Sequence, residues 1–211
     1  MNIAFICYGQ VGAPLADHLQ RAGHSVTLAA HDPQSQSVRR VLNRNRNLLV
    51  APPPQAVESA DVIFLATPFQ ANEEALSAVS KEIQAKILVD CTNPVGPRLT
   101  HGLNNALSGS EFVQKLVPNA RVVKAFTIYG YENLENTSFP AYNVKPAMML
   151  CGADAGAKRI VSQLAAQLGW EPIDVGGLEQ ALHLEHITLL WVRMVRVHGA
   201  SPNLVWAALN R

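Results

Sequence analysis

The 211-residue chain lacks a strong charge imbalance, a cysteine pair and a long hydrophobic run. Its net charge of +1 gives no electrostatic reason to bind nucleic acid or an anionic membrane. Its three cysteines are widely spaced, a pattern typical of reduced thiols in the cytoplasm. No apolar run reaches the roughly 18 residues of a membrane span, and the first residues have a strand pattern rather than that of a signal peptide. We therefore expect a soluble, cytoplasmic protein without a nucleic-acid or membrane partner.

Short apolar segments alternate with helical patterns along most of the chain. Parallel strands covered by helices on both faces have this pattern. The sequence therefore predicts an α/β fold, a Rossmann-type, doubly wound and mostly parallel sheet with a small C-terminal helical extension. The predicted strands lie at 2–7, 25–30, 48–51, 62–67, 87–91, 122–126, 147–151 and 171–175, and helices are predicted at 11–22, 154–168 and in the tail after 178. The triple proline at 52–54 is predicted to form a rigid turn.

The segment ICYGQVG follows the first predicted strand and opens the first predicted helix. This is the context of the dinucleotide fingerprint G-x-G-x-x-G, in which the second glycine lets the backbone approach the pyrophosphate and the third lets the helix pack closely. Gly9 and Gly12 occupy those two places, but Cys7 stands where the first glycine belongs. Because backbone N–H groups hold the phosphate, the loop still predicts dinucleotide binding if Cys7 adopts the required backbone angles. The residues predicted to line the cofactor there are Tyr8, Gly9, Gln10, Val11 and Gly12.

Cofactor preference is read after the second strand, where a carboxylate at the strand end would bind the adenosine ribose of NAD. This strand ends at Ala30 without one, and Asp32 comes later, where it is predicted to cap the next helix or to turn toward the ribose. His31, Ser35 and Arg39 are instead candidates to surround the 2′-phosphate of NADP. The sequence favours NADP, with NAD as the alternative.

Several segments together resemble a known family, the NADP oxidoreductases dependent on coenzyme F-420. This family is related to the reductase domains of membrane ferric reductases. The resemblance extends over nearly the whole chain. It rests on the order and spacing of ICYGQVG, LADHLQRAGHSVTLAAHDP, ADVIFLATPF, ILVDCTNPVGP, RVVKAFTIYGYENLEN and GGLEQALHLEHITLLWVRMV.

The resemblance implies an NADP-dependent oxidoreductase that passes a hydride to a small-molecule acceptor, either coenzyme F-420 or a flavin. It places Thr67 and Pro68 beside the nicotinamide ribose, and Asn93 and Pro94 beside the nicotinamide ring. Residues 1–150 would form the dinucleotide-binding Rossmann domain, and residues 151–211 would complete the substrate cleft. The tail helix would pack within its own subunit or would also form a homodimer interface.

Some residues depart from the family pattern. Thr127 replaces an asparagine, while Tyr8 and His31 replace a small residue and an arginine near the dinucleotide. These changes motivate the alternative of a non-catalytic dinucleotide-binding or sensing protein, or a reductase of another small molecule. No catalytic residue is certain from the sequence, and Thr127, His183 and Glu185 are candidate substrate contacts. His183 and His186 do not have the H-E-x-x-H spacing of a zinc site, so we predict no metal.

Overall fold

The predicted strands form one sheet in the computed structural model, which describes residues 1–209 and 211. Its order is β3-β2-β1-β4-β5-β6-β7-β8. β6 and β7 pair antiparallel, and the other paired strands run parallel. The strands are β1 (Asn2–Ile6), β2 (Ser25–Ala29), β3 (Leu49–Ala51), β4 (Val62–Leu65), β5 (Ile87–Asp90), β6 (Arg121–Lys124), β7 (Ala147–Gly152) and β8 (Glu171–Asp174). The predicted Rossmann-type fold is confirmed.

Helices cover both faces of this sheet because side chains alternate between faces along every strand. Phe5 and Phe64 point to one core, where their rings stack at 4.7 Å, and Ile6 and Leu65 point to the other. The helices are α1 (Gly12–Arg21), α2 (Gln36–Arg44), α3 (Pro53–Glu58), α4 (Asn72–Ser77), α5 (Gly109–Leu116), α6 (Tyr131–Glu135), α7 (Ala155–Gln167) and α8 (Ala181–Val192), which continues as a π-helix (Arg193–Val197). α1, α7 and α8 pack on the first core, whereas α3, α4 and α5 pack on the second.

Two local expectations are corrected. Asp32 does not cap α2, because the Ser35 side chain accepts the capping hydrogen bond from the Val38 amide. The side chain of Asp32 accepts from the Gln34 amide instead. The triple proline at 52–54 is the start of α3 rather than a turn, since Pro52 is the N-cap and proline fits the first helical positions.

From β1 the chain adds β2 and β3 on one side, and it then adds β4 and the later strands on the other, so the topological switch point of the sheet lies between β1 and β4. Ligands of open α/β sheets bind outside the carboxyl ends of the strands at such a point. Within residues 1–209 and 211, no helix combines the length and the apolar character that crossing a membrane requires.

Candidate functional site

The loop between β1 and α1 keeps the shape of the dinucleotide fingerprint although its first glycine is missing. Cys7 has φ of 69°, in the left-handed region that normally favours glycine. A Cβ at Gly12 would lie 2.4 Å from the Cys7 carbonyl oxygen and 3.2 Å from the Ala66 Cβ, so α1 starts against its own strand. Cys7 therefore adopts the conformation that the loop requires.

The opening of this loop faces free space. A Cβ at Gly9 would meet nothing within 4 Å. The N-terminus of α1 has no side-chain cap and no acidic residue in its first turn. The Ala13 amide donates to the Gly9 carbonyl at 3.0 Å and Pro14 has no N–H, so within the described residues the Gly12 amide and the loop amides before it are left for an anion. Gln10 is exposed and Val11 is half-buried beside the loop. The arrangement can bind a pyrophosphate through its backbone.

The candidates for the 2′-phosphate fall into two groups around the end of β2. His31 lines a cleft of about 360 Å³ together with Cys7, Pro53 and Glu74. Ser35 lies with Ser37, their hydroxyl oxygens 3.1 Å apart. Arg39 is exposed, and its guanidinium donates to the Gln34 side chain at 3.3 Å.

Tyr8 belongs to the serine group. Burial raises the pKa of the Tyr8 phenol, and the nearby hydroxyls of Ser37 and Ser35 partly oppose this shift. The phenol is therefore protonated at neutral pH and able to donate a hydrogen bond. The sequence predicts Tyr8 next to the phosphates, and the structure adds that it lies close to the two serines.

Polar side chains that follow β4 and β5 are connected into one row through Asn72 at the start of α4. The Thr67 hydroxyl donates to the Asn72 side chain, whose amide nitrogen donates to the Thr92 hydroxyl at 3.0 Å. Beside this row, Asn93 Oδ1 and Thr127 Oγ1 are buried and have no hydrogen-bond partner in the described residues. Buried polar atoms are nearly always paired, so both atoms are available to a ligand.

A cluster of ionisable side chains adjoins this row at Thr92. Asp90 and Lys124 are the last residues of β5 and β6, are paired in register and are 0% exposed. The Lys124 ammonium lies 2.9 Å from Glu185 Oε1 and 3.6 Å from Asp90 Oδ2, and it donates to the Thr92 carbonyl at 2.9 Å. Burial lowers the pKa of Lys124, but Asp90 and Glu185 together outweigh it and raise the pKa above its ordinary value. Lys124 is therefore a charged, structural cation.

Glu185 and His101 complete the cluster. The Gly109 amide donates to Glu185 Oε1 at 2.9 Å, and His101 Nε2 lies 2.7 Å from Glu185 Oε2. The Ser110 hydroxyl donates to Asp90, which fixes the start of α5 to the end of β5. Neither Asp90 nor His101 was among the residues singled out in the sequence. The only local signal was a carboxylate at the end of a buried apolar strand.

The structure separates the three candidate substrate contacts. Thr127 is buried at the end of β6 with its hydroxyl unpaired. Glu185 is 1% exposed and its carboxylate is engaged by His101, Gly109 and Lys124, so it is not free to contact a substrate. His183 is exposed on α8. Among the described residues there is no group of three or more metal-ligating side chains.

Buried groups elsewhere are not poised for proton transfer. The Tyr129 hydroxyl donates to the Ala147 carbonyl and accepts from the Trp206 amide at 3.1 Å, which ties the C-terminal segment to β7. Burial raises the pKa of Cys151 to about 12 and raises that of Cys91 well above its ordinary value, so both thiols stay protonated.

Comparison with known proteins agrees with this geometry. Residues 2–94 match the family described as NADP oxidoreductase, coenzyme F-420-dependent. The chain is related to that family. It is 28% identical over 201 residues to the F-420-dependent NADP reductase of Methanothermobacter marburgensis, covering 88% of each chain. It is also 32% identical over 190 residues to the rat metalloreductase STEAP3, of whose length it spans 36%.

Solved structures show the same relation. A crystal structure assigned to an F-420-dependent NADP reductase of Arthrobacter superposes with a TM-score of 0.83 at 27% identity, covering 94% of this chain and 95% of the other. An imine reductase of Myxococcus stipitatus in complex with NADP+ shares the fold, with a TM-score of 0.65 at 17% identity over 94% of this chain and 63% of the other. The predicted family resemblance is confirmed, and the class predicted from it, an NADP-dependent oxidoreductase, is supported.

Proposed function

We propose that the protein transfers a hydride between NADP(H) and a flavin-like or deazaflavin acceptor at the carboxyl edge of the sheet. The observation that carries this proposal is the positive φ of Cys7, since it preserves the pyrophosphate loop despite the missing first glycine. The related F-420-dependent NADP reductase and metalloreductase STEAP3 support the class of reaction.

The residues present fit the cofactor at both ends. The Gly12 amide and the amides of the loop before it would hold the pyrophosphate in the open space at Gly9. The unpaired Asn93 Oδ1 and Thr127 Oγ1 would accept from and donate to the nicotinamide carboxamide, because an amide offers one donor group and one acceptor. Thr67, Pro68 and Pro94 would form the walls on either side.

At the adenosine end, the hydroxyls of Tyr8, Ser35 and Ser37 offer donors for a 2′-phosphate. His31, which lines the cleft, would contact the cofactor at the same end, and Arg39 lies exposed on α2. No carboxylate ends β2, which agrees with NADP as the cofactor in place of NAD.

The nicotinamide supplies the hydride when bound, and the protein positions it and excludes water. Transfer between two flat rings needs no strong general acid. This agrees with a site in which Lys124 and Glu185 form a buried ion pair with each other and are not exposed to the cleft.

The proposal includes the separate roles that the sequence predicts for two parts of the chain. Residues 1–150 would bind the dinucleotide, and residues 151–211 would complete the cleft. A homodimer in the cytoplasm would use the exposed apolar side of α8 and the π-helix, where Leu190 is 51% and Val197 is 61% exposed.

The reaction is tested by mixing the protein with NADPH and, separately, a deazaflavin, FMN, FAD and a ferric chelate under anaerobic conditions. We expect loss of the near-ultraviolet absorbance of NADPH with one ring acceptor and a weaker response with the others. Measurable NADPH binding without oxidation by any acceptor would instead favour a dinucleotide-binding or sensing protein.

Cofactor preference is tested with His31→Arg and Ser37→Ala. An always charged guanidinium at position 31 should tighten binding of NADPH more than of NADH, by up to about tenfold. Ser37→Ala should weaken NADPH alone. Equal changes for the two nucleotides would show that neither residue faces the 2′-phosphate, and calorimetric titration measures both affinities.

A further inference from the structure

The loop between β5 and α5, residues 95–107, has an unusual backbone. Arg98, Leu99, Asn104 and Asn105 all have φ between 53° and 59°. Residues with a side chain adopt this region at a cost on the order of 1 kcal/mol each, and they stay there only where surrounding contacts hold them. Loop 95–107 is therefore held by specific contacts, some of which are its own backbone hydrogen bonds, such as that from the Gly96 amide to the Thr100 carbonyl at 2.8 Å.

The contacts that fix this loop to the rest of the protein include several from α8 and the π-helix. His101 is 5% exposed, and its Nε2 lies 2.7 Å from Glu185 Oε2. Its Nδ1 accepts from the amides of Leu103 and Asn105, both at 3.3 Å. A nitrogen that accepts carries no proton, so the ring is the Nε2–H tautomer and donates to Glu185.

Two further bonds hold the same loop. His186 Nε2 lies 2.8 Å from the Asn105 side-chain oxygen, and Arg193 donates to the Leu99 carbonyl at 3.0 Å. Both side chains are exposed, whereas the His101–Glu185 bond is buried and Glu185 is itself fixed by Lys124. The buried bond is the strongest of the three connections, because it is charge-assisted and shielded from water.

The loop forms one wall of a second pocket, of about 310 Å³, beside Pro94. Val95, Gly96 and Gly102 lie on this wall, and Phe69 and Phe112 form the other, with ring centroids 5.7 Å apart. Aromatic walls facing a backbone wall suit a flat ring system. The pocket adjoins the predicted nicotinamide end of the cleft at Phe69 and Pro94.

We propose that His101 and Glu185 are positioning residues that hold loop 95–107 in the shape that binds the hydride acceptor. The inference rests on the proposed function. Loosening the loop should weaken binding of the acceptor, which this pocket receives, while NADPH is held at the glycine loop of β1.

The test compares three substitutions of His101. Glutamine keeps a donor toward Glu185 and an acceptor toward the loop amides. Asparagine keeps the local acceptor but loses the reach to Glu185, and leucine removes both. The matched control is His24→Leu, because His24 is also buried, at 9% exposure. Its Nε2 lies 2.8 Å from the Gln167 side-chain oxygen, and this bond does not involve loop 95–107.

We expect His101→Leu to raise the acceptor KM about tenfold or more, with a smaller change in kcat and an NADPH dissociation constant within about twofold of wild type. His101→Gln should restore most of the loss. Hydrogen exchange without any substrate should accelerate in peptides covering 95–107 for His101→Leu and not for His24→Leu. If the leucine variant does not fold, His101→Asn gives the same comparison.

An unchanged acceptor KM, or a parallel loss of NADPH affinity, would overturn the proposal. Unchanged exchange in loop 95–107 would overturn it as well. Suppose that none of the acceptors oxidises NADPH with the wild type, while His101→Leu still loosens the loop as expected. The proposed function then fails, but His101 remains the residue that positions the loop.

Discussion

At the carboxyl ends of β1 and β2 the site is formed mainly by backbone, whereas at the ends of β5 and β6 it is formed by matched side chains. The glycine loop presents free N–H groups and tolerates cysteine at its first position. The cluster of Asp90, Lys124, Glu185 and His101 is almost completely buried and hydrogen-bonded internally. A backbone site depends on conformation and can accept a changed side chain, but a buried ionic site depends on every partner.

The largest effect is expected for Lys124→Met. Removing this cation leaves Asp90 and Glu185 as buried, unpaired carboxylates, which should lower the free energy of unfolding by about 3–5 kcal/mol. Urea denaturation measures the loss. The control is Lys158→Met, whose 2.8 Å ion pair with a half-exposed Asp174 should contribute less than about 1 kcal/mol. Equal losses in the two variants would remove the distinction between the regions.

A smaller effect is expected from a methyl group at either glycine of the β1 loop. Gly12→Ala places its Cβ against the Cys7 carbonyl and should lower both stability, by about 1–3 kcal/mol, and NADPH affinity. Gly9→Ala has room for its methyl in the protein alone, so it should weaken NADPH binding without changing stability. Thermal denaturation and calorimetry distinguish them, and normal NADPH affinity in both variants would exclude a pyrophosphate at this loop.

Asp17, on α1 behind the loop, should show a pH-dependent effect. Burial raises the pKa of Asp17, but hydrogen bonds from Arg44 and Arg21 outweigh it and hold the pKa below its ordinary value. A lowered folded pKa stabilises the protein above the unfolded pKa, and this contribution is lost as the pH falls through the folded pKa. Asp17→Asn should therefore cost about 1–2 kcal/mol at pH 7 and progressively less below about pH 4. A cost that does not change with pH would show that packing, not charge, is lost.

The smallest effect is expected for Cys7→Gly. Relief of the positive φ should leave stability unchanged or raise it by up to about 1 kcal/mol, with NADPH affinity within about twofold of wild type. Ala85→Gly is the matched control, because Ala85 has φ of 58° far from the loop in sequence. A marked loss of stability in Cys7→Gly alone would mean that the thiol itself stabilises the loop.

The class of fold and the place of the glycine loop follow from local patterns in the amino-acid sequence. Each strand is a short apolar run, and each turn signal is local, so the eight strands could be predicted within a few residues of their bounds. The family resemblance also followed from ordered local motifs. The start of α3 was missed because three prolines read equally well as a turn and as the first positions of a helix.

Which side chains meet depends on how the helices and strands pack together. The family resemblance implied that Glu185 contacts the substrate. Its partner His101 lies 84 residues away in the chain, and their contact depends on how α8 packs over the end of the sheet. The grouping of Tyr8 with Ser37 and the backbone angle of Cys7 are equally non-local. Sequence patterns record the environment of each residue along its own element, whereas a buried polar cluster is assembled from several elements and exists only once they have packed.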